Sequence, residues 1–284
     1  MNIKSYAKIN VSLKVVGILE NGYHDLEMVN LPLDLHDVIT IDPLPIAGDT
    51  YITCNDLRLV SMKGNLCTRA LEALRSKYGF KDNFRISIHK CIPFAAGLGG
   101  GSSNAAVVLQ SINKMLRLGA SKEELAEIGL SLGADVPYFL NPVPAIVRGI
   151  GESITPVPMK DDCYCLIVKP EEGLSTSEIY RHSDEFPKET INTAAVVEGL
   201  AEGNFEKISA NRGNDLYPAA KALLPVIERI VTEIKDEGFA VAAMSGSGSA
   251  CFGLTKDHRL AIRAERRFIK EGYIVRLCRV LRNK

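Results

Sequence analysis

The sequence predicts an α+β protein built from two domains, residues 1–155 and 156–284. Three observations lead to this prediction. A strand, a glycine-rich loop and a helix follow one another in the first half, and the second half mixes helices with a mainly antiparallel sheet. Between them, prolines and glycines cluster from residue 142 to 158, which is the composition of a domain junction. With 284 residues, 46% of them hydrophobic, the chain can supply two cores.

The first domain opens with a predicted β-hairpin. Apolar residues alternate from Ile9 to Val15, residues 20–22 supply a turn, and residues 23–29 form the second strand. Lys8 lies early in the first strand, where a lysine is costly unless its ammonium reaches water or a partner. Taken alone, Lys8 fits an edge lysine whose ammonium reaches water.

The glycine-rich loop follows a predicted helix at 64–80 and a strand around residues 84–88. Four of the five residues from Gly97 to Gly101 are glycine, so successive amide groups can turn toward an anion. Ser102, Ser103 and Asn104 are the predicted N-cap candidates of the next helix. A helix that begins here favours bound phosphate over a turn with nothing bound.

A capping box at Ser121–Glu124 starts another helix, which ends at Gly133. Asp135 follows beside an apolar segment, and taken alone it fits a cap or turn acceptor better than a catalyst.

In the second half, strands and helices alternate irregularly around a small-residue loop at 245–249. Pro225 indicates either a kink or a break within the second of these helices. The predicted elements are strands at 165–168, 239–244, 250–254 and 273–280, and helices at 190–201, 218–236 and 257–271.

Composition excludes several classes of partner. Thirty-four basic residues balance thirty-four acidic ones, which argues against nucleic acid and against an anionic membrane surface. Neither a signal segment nor a membrane span is evident, so we expect a cytoplasmic protein. The seven cysteines form no C-x-x-C pair and are predicted to be small buried hydrophobes rather than metal ligands.

Four segments together resemble the signatures of the GHMP kinases, the family named after galactokinase, homoserine kinase, mevalonate kinase and phosphomevalonate kinase. They are Ala7–Asn10, Pro93–Ala106, Gly133–Pro137 and Ser245–Ser249, in the family's order and over essentially the whole chain. The resemblance implies an N-terminal domain like domain 2 of ribosomal protein S5 and a ferredoxin-like C-terminal domain.

A fifth segment, Gly22–Leu26, resembles the substrate segment of one branch of this family. That branch phosphorylates the 2-hydroxyl of 4-diphosphocytidyl-2-C-methyl-D-erythritol in the non-mevalonate isoprenoid pathway. The resemblance implies ATP with Mg²⁺, a small-molecule cytidine diphosphate substrate, and a monomer or weak homodimer.

The resemblance also implies roles for individual residues. Lys8 and Asp135 would be catalytic, with Asp135 accepting the proton of the substrate alcohol. Tyr23 and Tyr180 would sandwich the cytosine, and His24 would contact its polar edge. No protein ligand for the metal is assigned beyond a possible Ser103 hydroxyl. The ATP-binding set would be Asn65, Lys90, Pro93, Gly97, Leu98, Gly99, Gly100, Gly101, Ser102 and Ser103, and the substrate-binding set Asn10, Tyr23, His24, Thr176, Tyr180, Ser245, Gly246 and Ser247.

Two alternatives stay open at this point. Another GHMP kinase, such as a homoserine kinase, would share the phosphate loop but act on a different alcohol. A catalytically silent nucleotide-binding module could keep the same fold, although retention of both Lys8 and Asp135 argues against it.

Overall fold

The computed structural model describes residues 2–45, 48–56, 59 and 64–282. Contacts group the chain into two units, each made of several segments. The first unit contains Met1–Ala7, His36–Ile92 and Gly99–Pro142, and the second contains Lys8–Leu35, Pro93–Leu98 and Val143–Lys284. Each unit combines segments from distant parts of the sequence, so the units do not correspond to a single division of the chain. The predicted domain boundary after residue 155 stays a prediction.

Two long strands, β1 (Asn2–Ile18) and β2 (His24–Leu44), form the N-terminal hairpin. At the turn the Leu19 amide donates to the Tyr23 carbonyl at 2.8 Å. The prediction that the second strand ends at residue 29 is wrong. Alternating buried residues such as Leu31, Leu33 and Ile39 continue the strand pattern far beyond that point.

The first unit places helices beside a small sheet. Strand β3 (Tyr51–Cys54) is parallel to β4 (Asn83–His89), and β4 is antiparallel to the last seven residues of β2. Its helices are α1 (Leu66–Tyr78), α2 (Gly100–Leu116), α3 (Lys122–Leu132) and the short α4 (Val136–Phe139). The capping box predicted for α3 is confirmed, because both the Ser121 and Glu124 side chains accept the expected backbone hydrogen bonds.

In the second unit, residues 26–30 of β2 pair with β5 (Ala145–Gly149), which pairs in turn with β6 (Ser153–Pro156). The sequence analysis missed both β5 and β6 because their prolines and glycines were assigned to a junction. Four helices precede the last sheet region: α5 (Thr176–Ser183), α6 (Thr193–Glu202), α7 (Phe205–Asn211) and α8 (Tyr217–Leu223). The helix predicted at 218–236 is broken at Pro225, which is one of the two outcomes predicted for this proline.

A four-stranded antiparallel sheet completes the second unit, in the order β10 (Ile274–Arg279), β7 (Tyr164–Lys169), β9 (Cys251–Thr255), β8 (Val241–Met244). Helix α9 (Val226–Asp236) packs on β8 and β9, and α10 (His258–Lys270) packs on β7 and β10. Helices connect the first strand to the second and the third strand to the fourth. This arrangement is the ferredoxin-like topology that the resemblance implies.

The prediction of buried cysteines is confirmed for five of the seven: Cys67, Cys163, Cys165, Cys251 and Cys278. It is wrong for Cys54 and Cys91, which are only half-buried. Burial raises the pKa of the Cys67 and Cys163 thiols to about 12. Within the part of the chain that is described, no helix combines the length and the apolar character that a membrane crossing requires.

Candidate active site

Helix α2 begins inside the glycine-rich loop, at Gly100, and its N-cap is Gly99 with φ 70°. The prediction that Ser102, Ser103 or Asn104 caps this helix is therefore wrong. No side chain caps the helix, so the amides of its first turn have no acceptor within the helix. Those amides and the helix dipole form a site suited to an anion such as phosphate.

The predicted capping side chains turn inward instead. Ser103 and Asn104 are buried, and the Ser103 hydroxyl accepts a hydrogen bond from Ser5 Oγ at 2.8 Å. Asn104 Nδ2 donates to Ser5 Oγ at 2.8 Å and to Asp37 Oδ2 at 2.9 Å. These contacts anchor the first turn of α2 to β1 and β2 within the first unit.

Asp37 is the central member of this buried network, and the sequence analysis missed it. Its side chain is fully buried. Oδ1 accepts from the backbone amides of Cys91 and Ile92 at 2.8 and 2.9 Å, and Oδ2 accepts from Asn104. The carboxylate also forms an ion pair with the Lys90 ammonium.

Lys90 therefore has a protein partner. Its side chain is only 8% exposed, and a Cβ placed on Gly100 would lie 3.1 Å from its Nζ. The ammonium thus lies beside the first residue of α2. The predicted contact between Lys90 and adenosine stays a prediction.

In the second unit, three segments meet: β1, residues 93–98 and the 245–249 loop. The Lys8 amide donates to the Leu98 carbonyl at 3.1 Å. The Ser245 hydroxyl donates to the Gly97 carbonyl at 3.0 Å and accepts from the backbone amide of Asn10 at 3.3 Å. Five predicted residues take part in these contacts and therefore share one region: Lys8, Asn10, Gly97, Leu98 and Ser245.

Gly97 cannot be replaced without moving this region. Its φ is 71°, and an added Cβ would lie 2.1 Å from the Ser245 carbonyl oxygen. Gly246 (φ 55°) is also tightly placed, because an added Cβ would lie 3.1 Å from the Gly97 carbonyl oxygen and 3.2 Å from Asn10 Oδ1.

Lys8 is not an exposed edge lysine. The residue is 3% exposed, and its ammonium donates to Asn10 Oδ1 at 2.7 Å. Asn10 Nδ2 donates in turn to Asn30 Oδ1 at 2.6 Å. Asn30 therefore fixes the orientation of the Asn10 amide, so that the Asn10 oxygen faces the ammonium.

The 245–249 loop has further support from groups that the sequence analysis missed. Asn214 Nδ2 donates to the carbonyl oxygens of Met244 and Gly246 at 3.2 and 2.9 Å. On the other side, Thr176 Oγ1 and Ser247 Oγ form a hydrogen bond of 2.9 Å. Two predicted substrate residues are thus in direct contact.

Two of the residues predicted to contact cytosine, His24 and Tyr180, are in contact with each other, and their role stays a prediction. The rings of His24 and Tyr180 pack with centroids 5.0 Å apart and planes inclined by 37°. Tyr23 is 60% exposed. His24 Nε2 lies 2.9 Å from Asp184 Oδ1, an acidic partner that the sequence analysis did not consider.

The remaining predicted residues occupy simpler settings. Asn65 caps α1, its Oδ1 accepting from the Cys67 amide at 2.9 Å. Pro93, Gly101 and Ser102 are at least partly exposed.

Asp135 occupies the N-cap position of α4 but forms no capping hydrogen bond, and it is half-buried. Burial and the Asp135 charge both raise the pKa of the Tyr138 hydroxyl.

Comparison with known proteins decides the family. A model described as "GHMP kinases N terminal domain" matches residues 65–141, and one described as "GHMP kinases C terminal" matches residues 196–274. The chain belongs to the GHMP kinase family. Membership implies that ATP is the phosphoryl donor.

This GHMP kinase is similar along nearly its whole length to curated relatives. It is 38% identical over 266 residues to the 4-diphosphocytidyl-2-C-methyl-D-erythritol kinase of Lachnoclostridium phytofermentans, covering 93% of this chain and 91% of that one. It is 39% identical over 259 residues to the enzyme of the same name from Clostridium kluyveri, covering 90% and 91%.

Solved structures share the fold of this GHMP kinase. A 4-(cytidine 5'-diphospho)-2C-methyl-D-erythritol kinase matches with a TM-score of 0.82 at 29% identity, covering 99% of both chains. Homoserine kinase from Cytophaga hutchinsonii matches with a TM-score of 0.75 at 18% identity, covering 99% of this chain and 95% of that one. The two-domain GHMP kinase fold predicted from the sequence is confirmed.

Proposed function

We propose that this GHMP kinase transfers the γ-phosphoryl group of ATP to the 2-hydroxyl of 4-diphosphocytidyl-2-C-methyl-D-erythritol. The observation that supports this most strongly is the near full-length similarity to enzymes named for that substrate. The paired rings of His24 and Tyr180, beside an exposed Tyr23, also favour an acceptor that carries a nucleobase.

The nucleotide triphosphate would bind at the start of α2. The amides after Gly99 fit phosphate oxygens, because they are hydrogen-bond donors at a helix N-terminus that no side chain caps. Among the described residues, no group of three His, Cys, Asp or Glu side chains could hold a metal ion. We treat Mg²⁺ as part of the incoming Mg²⁺–ATP substrate and assign it no protein ligand.

Lys8 and Asp135 would carry the chemistry. As the acceptor oxygen bonds to the γ-phosphorus, its proton passes to the Asp135 carboxylate, and the bond from the γ-phosphorus to the β–γ bridging oxygen breaks to release ADP. The buried Lys8 ammonium, held by Asn10, would offset negative charge developing on the transferred group. Asn10, Thr176 and the 245–247 residues would contact the methylerythritol and diphosphate.

The test is a panel of alcohols incubated with Mg²⁺–ATP and the purified protein. We expect stoichiometric ADP and phosphorylated product with 4-diphosphocytidyl-2-C-methyl-D-erythritol, and little product with homoserine or mevalonate. Preferential phosphorylation of an alcohol without cytidine would reject the substrate assignment. Absence of ADP formation with every alcohol would indicate a nucleotide-binding module instead.

A further inference from the structure

The hydrogen bond between His24 and Asp184 fixes which nitrogen of the imidazole carries a proton. Nε2 lies 2.9 Å from Oδ1 and 3.2 Å from Oδ2 of the Asp184 carboxylate. An ionised carboxylate only accepts hydrogen bonds, so Nε2 must be the donor. In a neutral ring, Nδ1 is then left as an acceptor. Within the described residues, Nδ1 of His24 forms no hydrogen bond with protein.

We propose that Asp184 is a specificity-determining residue that makes this enzyme select cytosine over uracil, by holding His24 in the tautomer whose Nδ1 accepts a hydrogen bond. This inference rests on the proposed function. Cytosine carries an exocyclic amine at its 4-position, which donates, whereas uracil carries a carbonyl oxygen there, which accepts. A fixed acceptor on the protein pairs with the amine and opposes the carbonyl.

The placement of Asp184 suits this role. Asp184 is the C-cap of α5 and follows Tyr180 by four positions. The end of this short helix therefore supplies both the Tyr180 ring that packs on His24 and the carboxylate that orients the His24 ring. The His24 side chain is 14% exposed and that of Asp184 is 40% exposed. The imidazole is therefore mostly buried but keeps a small accessible area. Lys188 Nζ, 3.9 Å from Asp184 Oδ1, is the nearest cation to the carboxylate among the described residues.

Asp184 acts through His24 and is a positioning residue, so its test needs a readout that a structural role would not move. The first readout is the long-range ¹H–¹⁵N spectrum of the free protein at pH 8.5. His24 is assigned among the five histidines by its absence from His24→Asn. We expect the Nε2–H tautomer in the wild type and in Asp184→Asn, which keeps an acceptor oxygen, and a mixture of tautomers in Asp184→Ala.

Glu185→Gln is the matched control. Glu185 is the next residue, and its carboxylate lies 3.3 Å from Nδ1 of a different histidine, His182. The Glu185→Gln substitution removes a carboxylate that lies just after the same helix, and it leaves the His24–Asp184 hydrogen bond in place. We expect the His24 spectrum of this variant to match the wild type.

The second readout is the ratio of kcat/KM for the cytidine substrate to kcat/KM for its uridine analogue. We expect this ratio to fall on the order of 10-fold in Asp184→Ala, the scale of one hydrogen bond, and to change little in Glu185→Gln. Circular dichroism confirms that the variants fold.

The two readouts separate the possible failures. An unchanged His24 tautomer in Asp184→Ala would overturn the inference whether or not the proposed function is correct. A changed tautomer with an unchanged base ratio would overturn the specificity role and leave the kinase assignment standing. If the wild type turns over neither nucleotide substrate, the proposed function fails, and the specificity role fails with it.

Discussion

Replacing Asp37 by alanine should strongly destabilise the protein. The fully buried carboxylate accepts hydrogen bonds from the amides of Cys91 and Ile92 and from Asn104, and it neutralises the Lys90 ammonium. The Lys90 side chain is only 8% exposed, and Asp37→Ala removes the carboxylate that pairs with its ammonium. It also leaves two backbone amides without their acceptor.

The expected loss follows from these contacts. Removing one member of a buried ion pair typically costs about 3–5 kcal/mol, because the other charge stays buried without compensation. Small domains have only about 5–15 kcal/mol of total stability. We therefore expect Asp37→Ala to lose roughly half of the free energy of unfolding of the first unit, or to fail to fold.

Asp42→Ala is the matched control, since Asp42 lies on the same strand, β2, and pairs with Arg85 Nη2 at 2.7 Å. That pair is exposed, with side-chain exposures of 48% for Arg85 and 38% for Asp42, so its removal should cost less than about 1 kcal/mol. Urea unfolding followed by circular dichroism measures both variants.

Equal destabilisation in Asp37→Ala and Asp42→Ala would refute this reasoning. If Asp37→Ala does not accumulate as folded protein, Asp37→Asn provides the measurement. Asn keeps the shape and one acceptor oxygen, but it places an amide donor or a neutral oxygen opposite the Lys90 ammonium. We expect a loss that is smaller than for Asp37→Ala and still larger than for Asp42→Ala.

Three further predictions concern stability and reactivity. Gly97→Ala should lower both the melting temperature and kinase activity, because the added Cβ would lie 2.1 Å from the Ser245 carbonyl oxygen. Gly17→Ala is the control, because no atom lies within 4 Å of the added Cβ there. It should match the wild type in thermal unfolding. The Cys163 thiol, with its pKa raised by burial to about 12, should resist a thiol-specific dye at pH 8 and react after unfolding in urea; reaction in the native protein would contradict its burial. The hydrogen bond from Arg267 lowers the pKa of Glu237, so this group adds stability above the unfolded carboxyl pKa of about 4.3, and that stability is lost as pH falls through the lower folded value. Glu237→Gln should therefore be less stable than the wild type at pH 7 and nearly equal to it at pH 2, as measured by urea unfolding at each pH.

The sequence was informative where local rules decide the structure. Alternation predicted β1, the capping box predicted the start of α3, and the strand–loop–helix order predicted the setting of the glycine loop. The N-cap of α2 was predicted wrongly because tertiary contacts outweigh local propensity there. Ser103 and Asn104 hydrogen-bond to Ser5, about a hundred residues earlier in the sequence, instead of to their own helix.

The supporting residues of the site were beyond local analysis. Asp37 was hidden within a strand whose extent was underestimated, although an acidic residue among alternating buried positions was a usable signal. Asn30, Asn214 and Asp184 act through partners that are 20, 32 and 160 residues away in sequence. No local spacing rule links such pairs, so only the folded chain reveals them.

The most direct test of the proposed function is the turnover of Lys8→Ala and Asp135→Asn with Mg²⁺–ATP and 4-diphosphocytidyl-2-C-methyl-D-erythritol. Calorimetric binding of the cytidine substrate and circular dichroism serve as controls for an intact site and fold. We expect kcat to fall on the order of 10²-fold or more in each variant while the fold is retained, because proton transfer and charge stabilisation are lost. Near wild-type turnover in both variants would contradict the assigned mechanism.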